Sequence, residues 1–311
     1  MKSIPFINAD QAESILTWKG VVAALWAAHQ MPQADIDDIL FEHDNHAVLS
    51  RAAWIRGTGI GVKTATIFPS NSTKNPALPT VHAIVTLFDD QTGEPTAVLD
   101  GTLVTKWKTA GDSVLGAHLL ARQDSKTLTI LGAGAVGESL IDAYREIFPD
   151  LKRIIIWNRT FSKAHKLAIK KDVEAVADLK QAVEYADIVS SATMSIEPFI
   201  QGQWIKTGAH VDLIGAYRPD MREADDSLLK RGRIFVDSRE TALHDIGELG
   251  IPIKKGVISE RDVIGDFYDL CKGSAGRKSK EEITVFKNGG GAHLDLATAS
   301  YIQKTLSDLN T

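Results

Sequence analysis

The sequence predicts an α/β protein of two domains, a doubly wound parallel sheet and a discontinuous α/β domain built on an antiparallel sheet. Three features carry that expectation. Short apolar runs alternate with amphipathic stretches over residues 127–237. Gly132, Gly134 and Gly137 follow the first of those runs at the spacing G-x-G-x-x-G. Residues 47–99, by contrast, read as strand after strand separated by turn-forming residues. The expected division is 1–112 plus 289–311 for one domain and 113–288 for the other.

Taken in order, Asn8 or Asp10 can cap a first helix over 11–16. A second helix is expected over 19–29, with Val22, Leu25 and Trp26 on one face. Residues 31–38 read as a polar connection. Strands are predicted over 47–54, 59–66, 81–88 and 96–99, with a Ser-, Asn- and Pro-rich loop over 69–79 and a hairpin turn over 89–94. A helix over 111–121 leads into the glycine-rich region. Beyond it, alternation over 127–237 specifies a parallel sheet covered on both faces. After Lys254 helices and loops are expected to alternate. Residues 288–291 form a glycine-rich junction, and a last helix over 295–306 is placed to return to the first domain.

The segment 127–160 carries the most chemistry. An apolar run over 128–131 reads as a buried strand, residues 138–147 as an amphipathic helix, and 154–157 as the next strand. Gly132 permits a sharp turn off the strand, Gly134 lets a pyrophosphate approach the backbone, and Gly137 allows close helix packing. The helix start, with Ala135 and Val136, offers free N–H groups to phosphate. The bland alternative is a tight turn with no ligand. At the tip of the second strand, where an NAD site usually has a carboxylate, stand Asn158, Arg159 and Thr160. Arg159 can fork onto a 2′-phosphate, and its neighbours can add neutral donors. NADPH is therefore the expected cofactor, with NADH as the second choice; a merely solvated Arg159 is the alternative. The strand tips at Ala192, Thr193 and Gly215 are expected to face the dinucleotide.

The 311 residues are 44% apolar and 24% charged, ordinary proportions for a globular protein. A net charge of −5 gives no basic footprint for nucleic acid. No uninterrupted apolar run suits a bilayer, and the N-terminus lacks a signal-peptide pattern. The single cysteine, Cys271, excludes a disulfide framework and fits the cytoplasm. His43, Asp44 and His46 lie close in sequence but have no partner motif, so they read as exposed and not as a metal site.

Several segments together resemble the ornithine cyclodeaminase/mu-crystallin family: GVKTA around Lys63, the run 81–101 containing His82, KWKTAGDS around Lys108 and Thr109, GAGAVG, IIIWNRT, and IGAYRPDMREADDSLL around Asp220. The resemblance covers nearly the whole chain and leans toward the mu-crystallin branch with its ketimine reductases. It implies a Rossmann-type domain plus a dimerising, substrate-binding α/β domain that includes the C-terminal helix, and hence a homodimer. It also implies catalytic positions at Lys63 and Asp220, substrate positions at His82 and Lys108, and a cofactor contact at Thr109. Lys108 stands where the family commonly has Arg, and a further Arg is missing from QADIDDILF upstream; Arg51 is the candidate replacement.

The implied reaction is hydride reduction of a carboxylate-bearing cyclic imine, foremost 1-pyrroline-2-carboxylate to proline. Lys63, Arg51 and Lys108 would hold the carboxylate, and Asp220 would act as counter-ion or general acid. An ornithine cyclodeaminase, an alanine-type dehydrogenase and a non-catalytic NADPH-dependent binder are the other readings. On residues alone, Asp220 and Glu223 fit a helix cap, Lys63 fits a snorkelling edge residue, and His82 fits a satisfied core or loop histidine.

Overall fold

A computed structural model describes residues 3–309. The chain divides into two compact units, Met1–Lys108 with Gly291–Thr311, and Thr109–Gly290.

In the first unit, β1 (Phe6–Ile7) precedes α1 (Ala9–Ala12), which Asn8 and Gln11 close with a reciprocal capping box. Thr17 caps α2 (Trp18–Ala28). Five strands follow: β2 (Asp35–His43), β3 (His46–Ile55), β4 (Gly59–Ile67), β5 (Val81–Phe88) and β6 (Pro95–Asp100). They form one sheet in the order β1-β6-β5-β4-β3-β2, antiparallel except for the β1–β6 pair. β2 corrects the expected polar connection over 31–38. It is an edge strand and mostly exposed, so Asp35, Asp37 and Asp38 cost it nothing, and the period-2 apolar signal of a half-buried strand is missing.

The chain passes into the second unit within α3 (Gly101–Leu120), which starts ten residues before the expected helix at 111. Its second half is buried almost all round, so it lacks the one-sided pattern that marks surface helices. Then come β7 (Thr127–Leu131), α4 (Ala135–Ile147), β8 (Arg153–Trp157), α5 (Phe161–Lys171), β9 (Glu174–Ala175), α6 (Leu179–Val183), β10 (Ile188–Ser191) and β11 (His210–Leu213). α7 (Asp226–Arg231), β12 (Gly232–Val236), α8 (Arg239–Ala242), α9 (Gly247–Lys254), β13 (Val263–Gly265), α10 (Phe267–Cys271) and β14 (Ile283–Lys287) complete it. All eight strands are parallel, in the order β13-β12-β14-β11-β10-β7-β8-β9.

Two strands after Lys254 overturn the expected helix–loop alternation. β14 is central, seated between β11 and β12 with every residue buried. A five-residue run buried on both faces has no period-2 signature, and its partners lie far away in sequence. The last helix, α11 (Ala292–Leu309), belongs to the first unit and packs on β3, β4, β5 and α2. The approach is tight: a Cβ on Gly61 would lie 3.1 Å from the Leu296 Cβ, and Tyr301 covers Gly20.

Candidate active site

In the second unit, strand order reverses between β7 and β10, which makes their carboxyl ends the switch point of the sheet. Gly132, at φ +115°, turns the chain there; a Cβ would sit 2.6 Å from the Ala192 carbonyl oxygen. Gly137 packs against the Gly132 carbonyl, where no side chain fits. Gly134 differs from both: it is the exposed N-cap of α4, and a Cβ there would meet nothing within 4 Å. The open backbone at Gly134 and Ala135, with half-buried Val136, ahead of a thirteen-residue helix fits a pyrophosphate.

The neighbouring strand tips converge on the same edge. Asn158, just after β8, accepts from the Ala133 N–H at 3.2 Å and donates to the Thr160 carbonyl at 3.1 Å. Its amide therefore braces the glycine turn, while Arg159 and Thr160 are exposed. Arg159 makes no ion pair among the described residues.

Below the tips lies a buried carboxylate, Glu223, whose spacing from Asp220 fits the far end of a capping box. Glu223 accepts from Ser191 Oγ and Thr193 Oγ1, both at 2.6 Å, from the Thr193 N–H at 2.8 Å and from the Gly215 N–H at 2.7 Å. It ties the ends of β10 and β11 together. Burial, then the neighbouring Glu248, pushes its pKa up to about 7. Glu248 in turn accepts from the Glu223 and Ala224 N–H groups. Lys287, at the end of β14, is fully buried and donates to the carbonyls of Leu213, Ala216 and Asn288 at 3.0, 2.8 and 2.7 Å. The helix cap itself is Asp225, which accepts from the Leu228 N–H.

In the first unit the cations gather. Arg51 and Lys63 are direct cross-strand partners on β3 and β4, so they share one sheet face. Lys63 Nζ donates to Asp295 Oδ1 at 3.0 Å and to Thr105 Oγ1 at 2.7 Å. Arg51 is held by Asp38 through its Nε, at 2.9 and 3.1 Å. Lys108 on α3 is buried. Burial lowers the Lys63 pKa; Asp295 opposes that, while Lys108 and Arg51 add to it.

Two further predicted residues have neighbours of their own. His82 pairs with Thr66, one residue out of phase with Lys63 and Val85, so it points to the opposite face of the sheet and is exposed. It shares no pocket with Lys63 in this chain. Asp220 lies on an exposed loop, bound to Arg218 by bonds of 2.9 and 2.8 Å, and Arg218 holds its pKa below the usual carboxylate value. Thr109, half-buried on α3, has its carbonyl 3.5 Å from the Asn288 amide. Cys271 is buried with its pKa pushed up to about 12, so it is an inert thiol. His46 stacks on Phe68, and His43, at the end of β2, and Asp44, in the β2–β3 turn, are exposed.

The model of the ornithine cyclodeaminase/mu-crystallin family matches residues 51–310. The Delta(1)-pyrroline-2-carboxylate reductase of Paracoccus denitrificans (strain Pd 1222) is 49% identical over 308 residues, covering 97% of each chain. The solved Thermococcus litoralis Delta(1)-pyrroline-2-carboxylate reductase, in complex with NADH and L-proline, is similar with a TM-score of 0.90 at 28% identity over 99% of both chains. An archaeal alanine dehydrogenase dimer with bound NAD reaches a TM-score of 0.91 at 27% identity, covering 99% of this chain and 97% of that one.

Proposed function

This chain belongs to the ornithine cyclodeaminase/mu-crystallin family, and we propose that it is a nicotinamide-dependent reductase converting 1-pyrroline-2-carboxylate to L-proline. The observation that carries the proposal is the cation cluster: Arg51 and Lys63 are cross-strand partners on one sheet face, and both Arg51 and Lys108 act on the Lys63 ammonium. Cations gathered in this way suit an anionic ligand. The substrate carboxylate fills that role, in a chain about half identical to a reductase of this imine.

The residues then divide the work. Lys63 and Arg51 hold the carboxylate from adjacent strands, and Lys108 adds charge from α3. Fixing the carboxylate fixes the neighbouring C=N carbon, and such positioning is worth several kcal/mol of barrier, of a possible ~7–11. When bound at the glycine turn, the dinucleotide supplies the hydride that this carbon accepts. An imine that arrives protonated as an iminium becomes the amine on hydride addition with no further proton. Asp220, anionic beside Arg218, serves that iminium as counter-ion.

NADPH is the proposed reductant. Arg159 is exposed at the β8 tip, with Asn158 and Thr160 beside it and no carboxylate to repel a 2′-phosphate. A homodimer is proposed from the sheet face opposite Lys63, where Ile39, Phe41, Trp54 and Ile84 are 54%, 67%, 44% and 47% exposed. An apolar sheet face of that kind calls for a cover, and light scattering at the monomer mass would refute the dimer. The single buried cysteine agrees with a reducing cytoplasm.

The test is loss of reduced-cofactor absorbance when purified protein meets 1-pyrroline-2-carboxylate and NADPH, with NADH in parallel. Turnover with either supports the reductase, and a lower KM for NADPH supports the cofactor choice. Ammonia release from ornithine plus NAD, without imine reduction, would make it a cyclodeaminase. Dinucleotide binding with no turnover on any imine or amino acid would make it a binding protein.

A further inference from the structure

Lys63 and Asp295 are 232 positions apart in sequence and 3.0 Å apart in space. The pairing was not legible in the sequence, where Asp295 reads as one more residue at a helix start. We propose that Asp295 is the positioning residue of this site: it fixes Lys63 Nζ and keeps it an ammonium, leaving one N–H for the substrate carboxylate. The inference rests on the reading of Lys63 as a carboxylate anchor.

The geometry supports each part. An ammonium has three donors, and two are engaged, by Asp295 Oδ1 and Thr105 Oγ1. Thr105 is itself oriented by donating to the Gly101 carbonyl at 2.7 Å. Lys63 lies on a strand bonded on both sides, so its backbone is fixed and only the tether end needs control. Asp295 is buried in the first turn of α11.

The surroundings make the counter-ion necessary. Facing Lys63 are Arg51 on β3, itself paired with Asp38 on β2, Val85 on β5, and Lys108 with Thr105 on α3. On α11, His293 feels His29 at the C-cap of α2, Lys108 and Arg51, and stays neutral because burial lowers its pKa well below the usual value. Burial and both cations therefore push Lys63 toward the neutral amine, and Asp295 is the anion in contact that opposes them. The sign is clear: an ammonium is lost as pH rises through its pKa, so removing Asp295 brings that loss to lower pH.

Competitive acylation of the full-length protein across pH, read by mass spectrometry of the Lys63 peptide, follows this ammonium without turnover. Asp295→Asn is expected to lower the midpoint by at least about one pH unit, and Asp295→Glu to hold it within about half a unit of the parent. The basic limb of kcat/KM for the imine should move down with it in Asp295→Asn, while the dinucleotide KM changes by no more than about twofold. If midpoint and limb both stay put, Asp295 merely anchors α11 and the proposal fails; a shifted midpoint with an unmoved limb removes its part in the reaction. If Asp295→Asn does not fold, Lys63→Met/Asp295→Asn decides. A folded double variant supports the proposal, because the fault was then an unpaired buried cation; a double variant that also fails, beside a folded Lys63→Met, overturns it. A shifted midpoint in a protein that reduces no imine would sink the proposed reaction and leave the Lys63–Asp295 coupling standing.

Discussion

The two units offer opposite kinds of surface to the ligands proposed for them. On the second unit the offered surface is backbone: the open Gly134 and the start of α4, braced by Asn158 and tied from beneath by Glu223 and Lys287. Charged side chains there satisfy protein groups and hold loops. On the first unit the offered surface is side chains, with Arg51, Lys63 and Lys108 supplied by two strands and a helix, Arg51 bonded to Asp38 and Lys63 to Asp295. The contrast teaches where each half is vulnerable. A backbone site fails when something is added, a side-chain site when something is removed.

The largest effect should come from removal. Lys63→Met is expected to lower kcat/KM for the imine by about a hundred- to a thousandfold, the cost of truncating one partner of a buried charge pair, with dinucleotide affinity nearly unchanged. Equal losses in both would erase the contrast. Addition is next. Gly134→Asp places a preferred N-cap residue at α4, so thermal stability should hold or rise slightly. Its charge beside a pyrophosphate should nonetheless weaken dinucleotide binding by about a hundredfold, from like-charge repulsion of a few kcal/mol at ~4 Å. Unchanged binding by titration calorimetry would mean that no phosphate lies there.

Arg159→Ala sharpens the comparison within the backbone half, because it removes the one side chain proposed to touch the ligand by charge. The NADPH KM should rise about ten- to a hundredfold, as for a lost hydrogen bond to a charged group of ~1.5–3 kcal/mol, and the NADH KM should stay put. Equal changes for both cofactors would refute the 2′-phosphate contact. The smallest effect concerns the supporting layer. Asp212 on β11 is buried, accepts from Ser190 Oγ at 2.6 Å, and has its pKa raised from 3.8 to about 7, chiefly by burial. With the folded pKa above the unfolded one, its protonated form favours the fold, and stability falls as pH rises from the unfolded value through about 7. Asp212→Asn should therefore flatten the decline of Tm across that window, by about 2 °C or more at pH 8 relative to pH 4. Parallel curves would show that Asp212 does not titrate there.

Legibility followed the same boundary. The glycine turn, the β8 tip and the strands β3, β4 and β5 were readable because each depends on neighbours within a few residues. β2 was missed because an exposed edge strand shows no buried face, and β14 because a strand buried on both sides shows no alternation. His82 and Lys63 were both found by family pattern, yet their phase on the sheet sends them to opposite faces. Glu223 carried a misleading local signal, three residues after Asp220, that concealed its four bonds to the ends of β10 and β11. A carboxylate in the otherwise apolar start of α11 was the only trace of Asp295.

Sequence alone determined the family, the α/β class and the glycine turn, because backbone conformation over a short span is set by which side chains are absent or branched within that span. The tertiary structure decided that β14 enters the middle of the parallel sheet, that Glu223 ties β10 to β11, and that Asp295 meets Lys63. Those outcomes depend on which distant surfaces bury each other. A buried charge takes its partner from whatever segment packing brings within hydrogen-bond reach, and the spacing of residues along the chain holds no record of that distance.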